Sequence, residues 1–165
     1  MLSFGSNRLF TFTPMKIVID FLCLQTDLKI KRMEGKRYIF CRIRKKYLVL
    51  QPEEMVRQLV LIYLEREKGY NRNHMQVEKG LKLNGLYKRP DIVLFDQQVA
   101  PQLIVECKAP NIPITQEVFD QIARYNLALK VKYLLVTNGI DTFCCRMNYA
   151  ESSYQFLPEV PSFKT

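Results

Sequence analysis

The stretch RPDIVLFDQQVAPQLIVECKAP (residues 89–110) contains two apolar runs joined by a short polar connection. Runs of this length that are rich in Val, Ile and Leu are typical of β-strands, and the connection suits a hairpin. Glu106 and Lys108 nevertheless follow directly on the apolar residues 103–105. Ionisable groups are rarely buried unless they are paired or bind a metal. This strand end therefore either faces water or binds something.

The predicted pairing of the two strands brings three charged side chains together. Residues two apart in a strand share a face, so Glu106 and Lys108 point the same way. If Phe95 lies opposite Gln102, Asp91 lies opposite Glu106, whereas a slip of two residues pairs Asp91 with Lys108 instead. In both registers Asp91, Glu106 and Lys108 gather at one end of the hairpin.

Two neighbouring carboxylates repel each other unless a cation lies between them. Hard oxygen ligands suit Mg²⁺, which is often bound by one or two carboxylates together with phosphate, and Mn²⁺ takes similar ligands. A lysine at the same place can position an attacking water or stabilise charge on a phosphate. The alternative interpretation is a surface salt bridge at a strand end.

The remaining sequence predicts a mixed sheet flanked by helices. Short strands are expected near 27–33, 37–42 and 46–50, and then a helix that begins at Pro52 and ends at Gly69. A hairpin turning at residues 84–85 precedes the strand of residues 101–109, and further segments follow: a helix at 116–130, a central strand in KYLLVT (132–137) and a strand in DTFCCRM (141–147). We expect one domain over residues 15–165 with a loose Pro-rich tail, preceded by a disordered leader at residues 1–14.

Composition restricts the class of protein. Lys and Arg outnumber Asp and Glu by 25 to 16, and the formal net charge of +9 favours an anionic partner. Five cysteines without a C-x-x-C spacing argue against a disulfide framework or a zinc site and favour a reducing cytoplasm. No apolar run is long enough to span a membrane. GLKLNGLY (80–87) lacks the Lys-Ser/Thr of a P-loop, so no ATP-driven motor is expected.

The segments RPDIVLF and LIVECKAP resemble the PD-(D/E)XK nuclease superfamily, which has a restriction-endonuclease-like fold. Residues 121–125, QIARY, are similar to the Q-x-x-x-Y motif of its exonuclease-type branch and of type I restriction enzyme R subunits. Residues 27–150 as a whole resemble the N-terminal nuclease domain of those R subunits, particularly short stand-alone relatives. The resemblance implies an α/β fold with an α-β-β-β-α-β core.

The resemblance also implies a function, a divalent-metal-dependent nuclease domain that hydrolyses phosphodiester bonds in DNA. It implies that Asp91 and Glu106 bind Mg²⁺ or Mn²⁺ and that Lys108 positions the attacking water. An acid of the first helix joins them, and Glu53 is preferred over Glu54 because it shares a face with the apolar side of that helix.

Further residues complete the expected site. Gln121 and Tyr125 orient their helix and contact the phosphate region, and five cations are candidates for contact with nucleic acid: Arg42, Arg44, Lys45, Lys46 and Arg89. DNA is the expected partner, and a homodimer or restriction-modification subunits are further candidates. Two alternatives stay open: a catalytically inactive module of the same fold that binds nucleic acid or a partner, and a protein-interaction domain that binds neither metal nor nucleic acid.

Overall fold

The computed structural model describes residues 14–83 and 85–163. Residues 1–13 of the expected leader therefore lie outside the described residues. The segment before Pro52 forms a short helix and a three-stranded antiparallel sheet, here called the N-terminal sheet: α1 (Phe21–Leu24), β1 (Ile30–Met33), β2 (Lys36–Cys41) and β3 (Lys46–Val49). The three short strands expected from the sequence are thus confirmed.

Local sequence explains the first hairpin of this sheet. Met33 pairs with Lys36 across a connection of Glu34 and Gly35, whose φ angles are 51° and 75°. A two-residue hairpin loop with positive φ at both positions matches the right-handed twist of its strands, and glycine adopts that conformation without strain.

The rest of the described chain consists of two longer helices and two groups of strands. The helices are α2 (Pro52–Arg66) and α3 (Gln116–Leu127), and the strands are β4 (Met75–Val77), β5 (Leu81–Leu83), β6 (Leu86–Lys88), β7 (Ile92–Phe95), β8 (Pro101–Cys107), β9 (Tyr133–Thr137), β10 (Thr142–Asn148) and β11 (Ser153–Leu157). Six of the strands form the main sheet in the order β11-β10-β9-β8-β7-β4. The core order α2, β4, β7, β8, α3, β9 matches the α-β-β-β-α-β arrangement and the mixed α/β fold class that the sequence predicts.

The residues expected to begin α2 and α3, and the glycine expected after α2, are found in those positions. Pro52 occupies the first helical position of α2, and Gly69 with φ of 72° follows the end of that helix. The Thr115 hydroxyl accepts a hydrogen bond from the Val118 N–H at 3.3 Å and so caps α3. The parallel pairing of β8 with β9 follows from α3, because parallel neighbours require a crossover connection.

The hairpin expected around residues 84–85 is split in the structure. The β5–β6 pair and the β4–β7 pair keep one register, but residues 78–80 and 89–91 between them are not strands. The Glu78 N–H donates to the Asp91 carbonyl at 3.0 Å within this interruption. The expected hairpin is therefore interrupted on both arms, and Asp91 lies just before β7.

The register of β7 with β8 agrees with the sequence only in part. Leu94 pairs with Leu103 and Ile92 with Val105, so the register that places Asp91 level with Glu106 is confirmed along these residues. The expected pairing of Phe95 with Gln102 is wrong, because a bulge after Leu94 brings Phe95 opposite Pro101 instead.

The main sheet separates two apolar layers, one packed against α2 and the other against α3. Alternation assigns the residues of β8 to these layers, because Leu103 and Val105 belong to the α2 layer and Ile104 to the α3 layer. In β9 the residues 134–137 are all buried, so this strand is covered on both faces. The predicted central strand is therefore confirmed.

The Pro-rich tail, expected to be loose, is packed as far as it is described. Val160 is fully buried, and the Tyr70 hydroxyl donates to the Pro161 carbonyl at 3.1 Å. The centroid of the Phe163 ring lies 4.8 Å from that of the His74 ring. Two apolar residues of the tail explain this packing, because Val160 and Phe163 both contact the apolar layer that contains α2.

The structure also shows the state of the cysteines and the character of the helices. The five cysteines are free, with Cys23 exposed and the other four buried. Within residues 14–83 and 85–163, no helix has both the length and the apolar character that crossing a bilayer requires.

Candidate active site

Three elements converge where β7 and β8 meet the start of α2. Asp91 precedes β7, Glu106 lies near the end of β8, and Lys108 follows that strand. The Lys108 N–H donates to the Thr137 carbonyl at 2.8 Å, so the backbone pairing with β9 continues one residue past β8. The predicted gathering of Asp91, Glu106 and Lys108 is therefore what the strand positions produce.

The Asp91 carboxylate is fixed by two hydrogen bonds. Its Oδ2 accepts from the Cys107 N–H at 2.7 Å, and its Oδ1 accepts from Arg57 Nη2 at 2.8 Å. The Cys107 amide follows directly on Glu106, so this bond ties Asp91 to the end of β8. A carboxylate with both oxygens held in this way has little rotational freedom.

Glu106 is held by a cation from the neighbouring hairpin. Its Oε1 lies 2.8 Å from Lys88 Nζ, and its side chain is 14% exposed. Burial raises the pKa of Glu106, the Lys88 ammonium opposes that rise, and the Asp91 carboxylate adds to it. The net increase in pKa shows that the charged form of Glu106 is held at a cost in free energy.

Lys108 contributes the third charged group. It is half-buried, and among the described residues no carboxylate lies within ion-pair distance of its ammonium. Its charge nevertheless lowers the pKa of both Glu106 and Glu53, although burial raises each of them more. Lys108 is therefore close enough to influence the acids and is not committed to an ion pair with them.

The structure distinguishes the two candidate acids of α2. The Glu53 side chain is 45% exposed, and burial together with the Asp91 charge raises its pKa. The Glu54 side chain is 8% exposed and receives hydrogen bonds from Arg44 Nη2 at 2.9 Å and from Gln58 Nε2 at 2.8 Å. The expectation that Glu53 lies on the buried side of α2 is therefore wrong, because Glu54 is the acid that the fold buries and pairs. Glu53 is half-exposed beside Asp91.

Arg57 is the residue that sequence reasoning missed. Its guanidinium, 4% exposed, binds the carboxylates of Glu53 at 3.1 Å and Asp91 at 2.8 Å, and it also contacts Glu54. Burial alone would lower the pKa of Arg57, but the Asp91 and Glu54 charges outweigh it and raise that pKa. The spacing of Arg57 four residues after Glu53 on one helix face was the available signal.

The motif of α3 is only partly described. Gln121 is exposed, and no hydrogen bond or ion pair of the described residues joins it to Asp91, Glu106 or Lys108. The side chain of Tyr125 lies outside the described residues. Their proposed roles stay predictions.

The basic candidates fall into two groups. Arg42 lies 2.5 Å from Glu65, and Arg44 binds Glu54 and Glu78, so both arginines are engaged inside the chain. The remaining candidates, Lys45, Lys46 and Arg89, are exposed, although Arg89 also donates to the Glu78 carbonyl and lies 3.9 Å from the Glu78 carboxylate.

The carboxylates of the site can be ligands of a hard divalent cation. Asp91 and Glu106 supply carboxylate oxygens at one position, which suits the one or two carboxylates that Mg²⁺ commonly takes besides water and phosphate. In the part of the chain that the structure describes, no group of three or more acidic, cysteine or histidine side chains is arranged to hold a metal. The residues therefore fit a site of two carboxylates, and Arg57 and Lys88 would have to yield the oxygens that a metal takes.

Comparison with known families gives a match over residues 52–161, about two thirds of the chain. The matching family is described as type I restriction enzyme R protein N terminus (HSDR_N). The matched range contains Glu53, Asp91, Glu106 and Lys108 and excludes the N-terminal sheet. No curated protein sequence matches the chain.

Proposed function

The chain belongs to the family of type I restriction enzyme R protein N termini, and we propose that it is a divalent-metal-dependent nuclease domain that hydrolyses phosphodiester bonds in DNA. The observation that carries this proposal is the meeting of Asp91, Glu106 and Lys108 at the ends of β7 and β8. Two acids and a lysine around a hard cation form a suitable set for cutting a phosphodiester.

The residues proposed to hold Mg²⁺ or Mn²⁺ are Asp91 and Glu106, with Glu53 assisting. Bound there, the metal would lower the pKa of a coordinated water and neutralise charge on the phosphate. The open side chain of Glu53 and its closeness to Asp91 support its place over Glu54.

The protein side chains have separate tasks in this proposal. Lys108, which is free of ion pairs to the described carboxylates, positions the attacking water or the phosphate oxygen. Before a metal binds, Arg57 and the Cys107 N–H hold the Asp91 carboxylate in place, and Arg57 would give up its oxygen to the metal while the Cys107 N–H keeps the other. Gln121 and Tyr125 are proposed to contact the phosphate region from α3.

DNA is the proposed partner because of the family and because the formal net charge is +9. The exposed Lys45, Lys46 and Arg89 are proposed to contact its phosphates. A homodimer or association with restriction-modification subunits is a further proposal, and ATP is not proposed as a ligand.

A supercoiled plasmid assay in Mg²⁺ or Mn²⁺ tests the proposal. The wild-type protein should nick or linearise the plasmid, EDTA should stop the reaction, and Lys108→Ala should lower the rate by about 100-fold or more. Lys130→Ala, which removes an exposed lysine beyond α3, is the matched control and should cleave as the wild type does. Equal cleavage by Lys108→Ala would contradict the assigned role.

One observation favours a second function, a non-catalytic nucleic-acid-binding module of the same fold. Asp91 and Glu106 are each already paired with a cation of the chain, as in a purely structural ion-pair network. Salt-sensitive DNA binding without cleavage in either metal would support this alternative.

A further inference from the structure

The positive charge of the chain is concentrated in the N-terminal sheet. Residues 28–49 contain nine Lys and Arg residues and a single acid, a net +8 out of the total of +9. This segment also precedes the range that matches the family, which begins at residue 52. The strongest electrostatic feature of the molecule therefore lies outside the shared nuclease-like core.

The strand register assigns these residues to faces. Ile39 and Cys41 are fully buried on one face of the sheet, while the alternate residues of β2 point to the other face. Cross-strand pairing extends that second face over all three strands. We call it the aromatic–lysine face, and it consists of Lys29, Lys31, Met33, Lys36, Tyr38, Phe40, Tyr47 and Val49.

Aromatic rings occupy the middle of this face. Phe40 pairs with Tyr47, and their ring centroids are 5.2 Å apart. Tyr38 lies two residues from Phe40 on the same strand and is half-buried, whereas Tyr47 is 38% exposed. The rings thus form a contiguous apolar surface that solvent reaches.

Two lysines lie over the rings. Lys31 Nζ lies 4.0 Å from the centroid of the Tyr47 ring, and Lys29 Nζ lies 5.8 Å from that of Phe40. Lys29, Lys31 and Lys36 are exposed, and within the described residues none has a carboxylate at ion-pair distance. Their charge is therefore not neutralised by that part of the chain.

We propose that the aromatic–lysine face binds single-stranded DNA, with bases stacked on Tyr38, Phe40 and Tyr47 and phosphates beside Lys29, Lys31 and Lys36. Every base has a flat face that stacks on an aromatic ring, and a lysine border follows the backbone without reading sequence. A duplex hides its base faces, so it would use the lysines but not the rings. The choice of DNA over RNA rests on the proposed function.

The face is also connected to the candidate active site. The turn between β2 and β3 carries Arg44, whose guanidinium donates to Glu54 at 2.9 Å and contacts Glu78. Phe40 and Tyr47 lie on the strand segments that flank this turn. The turn beside these rings is therefore held by ion pairs against α2, the helix that carries Glu53.

A fluorescence reporter tests the stacking. The chain has no tryptophan, so Tyr47→Trp introduces a single one at the centre of the face. Titration of the full chain with a 15-nucleotide oligothymidylate in EDTA should quench its emission, because the base stacks on the indole. Tyr87→Trp, at a tyrosine 68% exposed in the β5–β6 hairpin, is the matched control and should not be quenched. Absence of quenching at position 47, or equal quenching at both positions, would overturn the proposal.

Affinity measurements by anisotropy of the labelled oligonucleotide separate stacking from charge. Tyr47→Ala should weaken binding by about tenfold, within the range for loss of one base–aromatic stack, while Tyr47→Phe should bind as the wild type does. Lys31→Gln should reduce the slope of log affinity against log salt by about 0.7, whereas Lys130→Gln should not change it. Unchanged binding by Tyr47→Ala, or equal weakening for a duplex of the same length, would overturn the proposal, as would tighter binding of the matching oligouridylate.

EDTA removes the divalent metal that the proposed cleavage needs, so binding of the oligonucleotide is measured independently of nuclease activity. Stacking at position 47 in a protein that never cleaves DNA would support the aromatic–lysine face and contradict the nuclease. Metal-dependent cleavage without any binding of the oligothymidylate would support the nuclease and overturn the aromatic–lysine face.

Discussion

In the main sheet Asp91 and Glu106 each bind a cation of the same chain, Arg57 at 2.8 Å and Lys88 at 2.8 Å. In the N-terminal sheet Lys31 and Lys36 are exposed, and no described carboxylate lies at ion-pair distance from them. Charge in the first region is compensated by ion pairs within the fold, which hold the side chains in a fixed arrangement. Charge in the second region has no such carboxylate partner among the described residues, so removing it should change stability much less than removing charge from the first region.

The largest difference is expected when a cation is removed from each region. Arg57→Met should lower the free energy of unfolding by roughly 3–5 kcal/mol, because buried carboxylates lose their partner. Lys31→Met should change it by at most about 0.5 kcal/mol, because the ammonium is exposed. Urea unfolding followed by circular dichroism measures both.

A control on the same helix shows whether burial decides this result. Arg66→Met also removes an ion-paired arginine of α2, but that side chain is 55% exposed and its partner is Asp27. Arg66→Met should lower the free energy of unfolding by about 1 kcal/mol or less. If Arg57→Met lowers the free energy of unfolding no more than Arg66→Met does, the proposed difference between buried, paired charges and exposed charges is contradicted.

Apolar residues should show the same contrast with a slightly smaller effect. Ile104→Ala should cost about 2–5 kcal/mol, since Ile104 is fully buried in β8 and a cavity remains. Ile30→Ala in β1 should cost well under about 1 kcal/mol, because that side chain is 47% exposed. Thermal melting of both variants measures the difference, and equal destabilisation would show that β1 is packed as tightly as β8.

The smallest effect concerns pH. Burial raises the pKa of Glu106 in the folded state, so its ionised form destabilises the fold at pH above that pKa, and the penalty disappears as pH falls. Glu106→Gln should therefore melt at a higher temperature than the wild type near pH 8. The gain should vanish below about pH 4, where the carboxyl is neutral in both states.

Glu117→Gln, at an exposed acid in the first turn of α3, controls for the loss of a negative charge as such. It should show no gain near pH 8, because a negative charge there stabilises a helix N-terminus. A lower melting temperature of Glu106→Gln near pH 8 would mean that the Lys88 pair outweighs the burial of Glu106.

Much of the architecture was predictable because local signals and burial agree. Pro52 marks the start of α2, Gly69 follows three residues after its last residue, Arg66, and Glu34-Gly35 forms the first turn. Alternation limited the β7–β8 pairing to registers two residues apart, which left Asp91 level with either Glu106 or Lys108, and the structure has the first of these. Where local sequence signals and the need to bury apolar residues favoured the same helix or strand, the sequence alone predicted that element.

The features that the sequence did not predict depend on contacts between distant parts of the chain or on local loop geometry. The bulge at Phe95 depends on how the 96–100 turn closes, which alternation does not report. The packed tail depends on contacts with Tyr70 and His74, far away in the chain. The cations that hold the acids were missed as well, because Lys88 and Glu106 are far apart in the chain and meet only in the folded protein.

The most direct measurement is a crystal structure of the protein soaked in Mn²⁺, with anomalous difference maps inspected between Asp91 and Glu106. A peak coordinated by both carboxylates, with Arg57 or Lys88 shifted away from the oxygens it now contacts, is the expected result. Full ion pairs and no anomalous peak, at Mn²⁺ concentrations that support cleavage in the plasmid assay, would contradict a metal site at these residues.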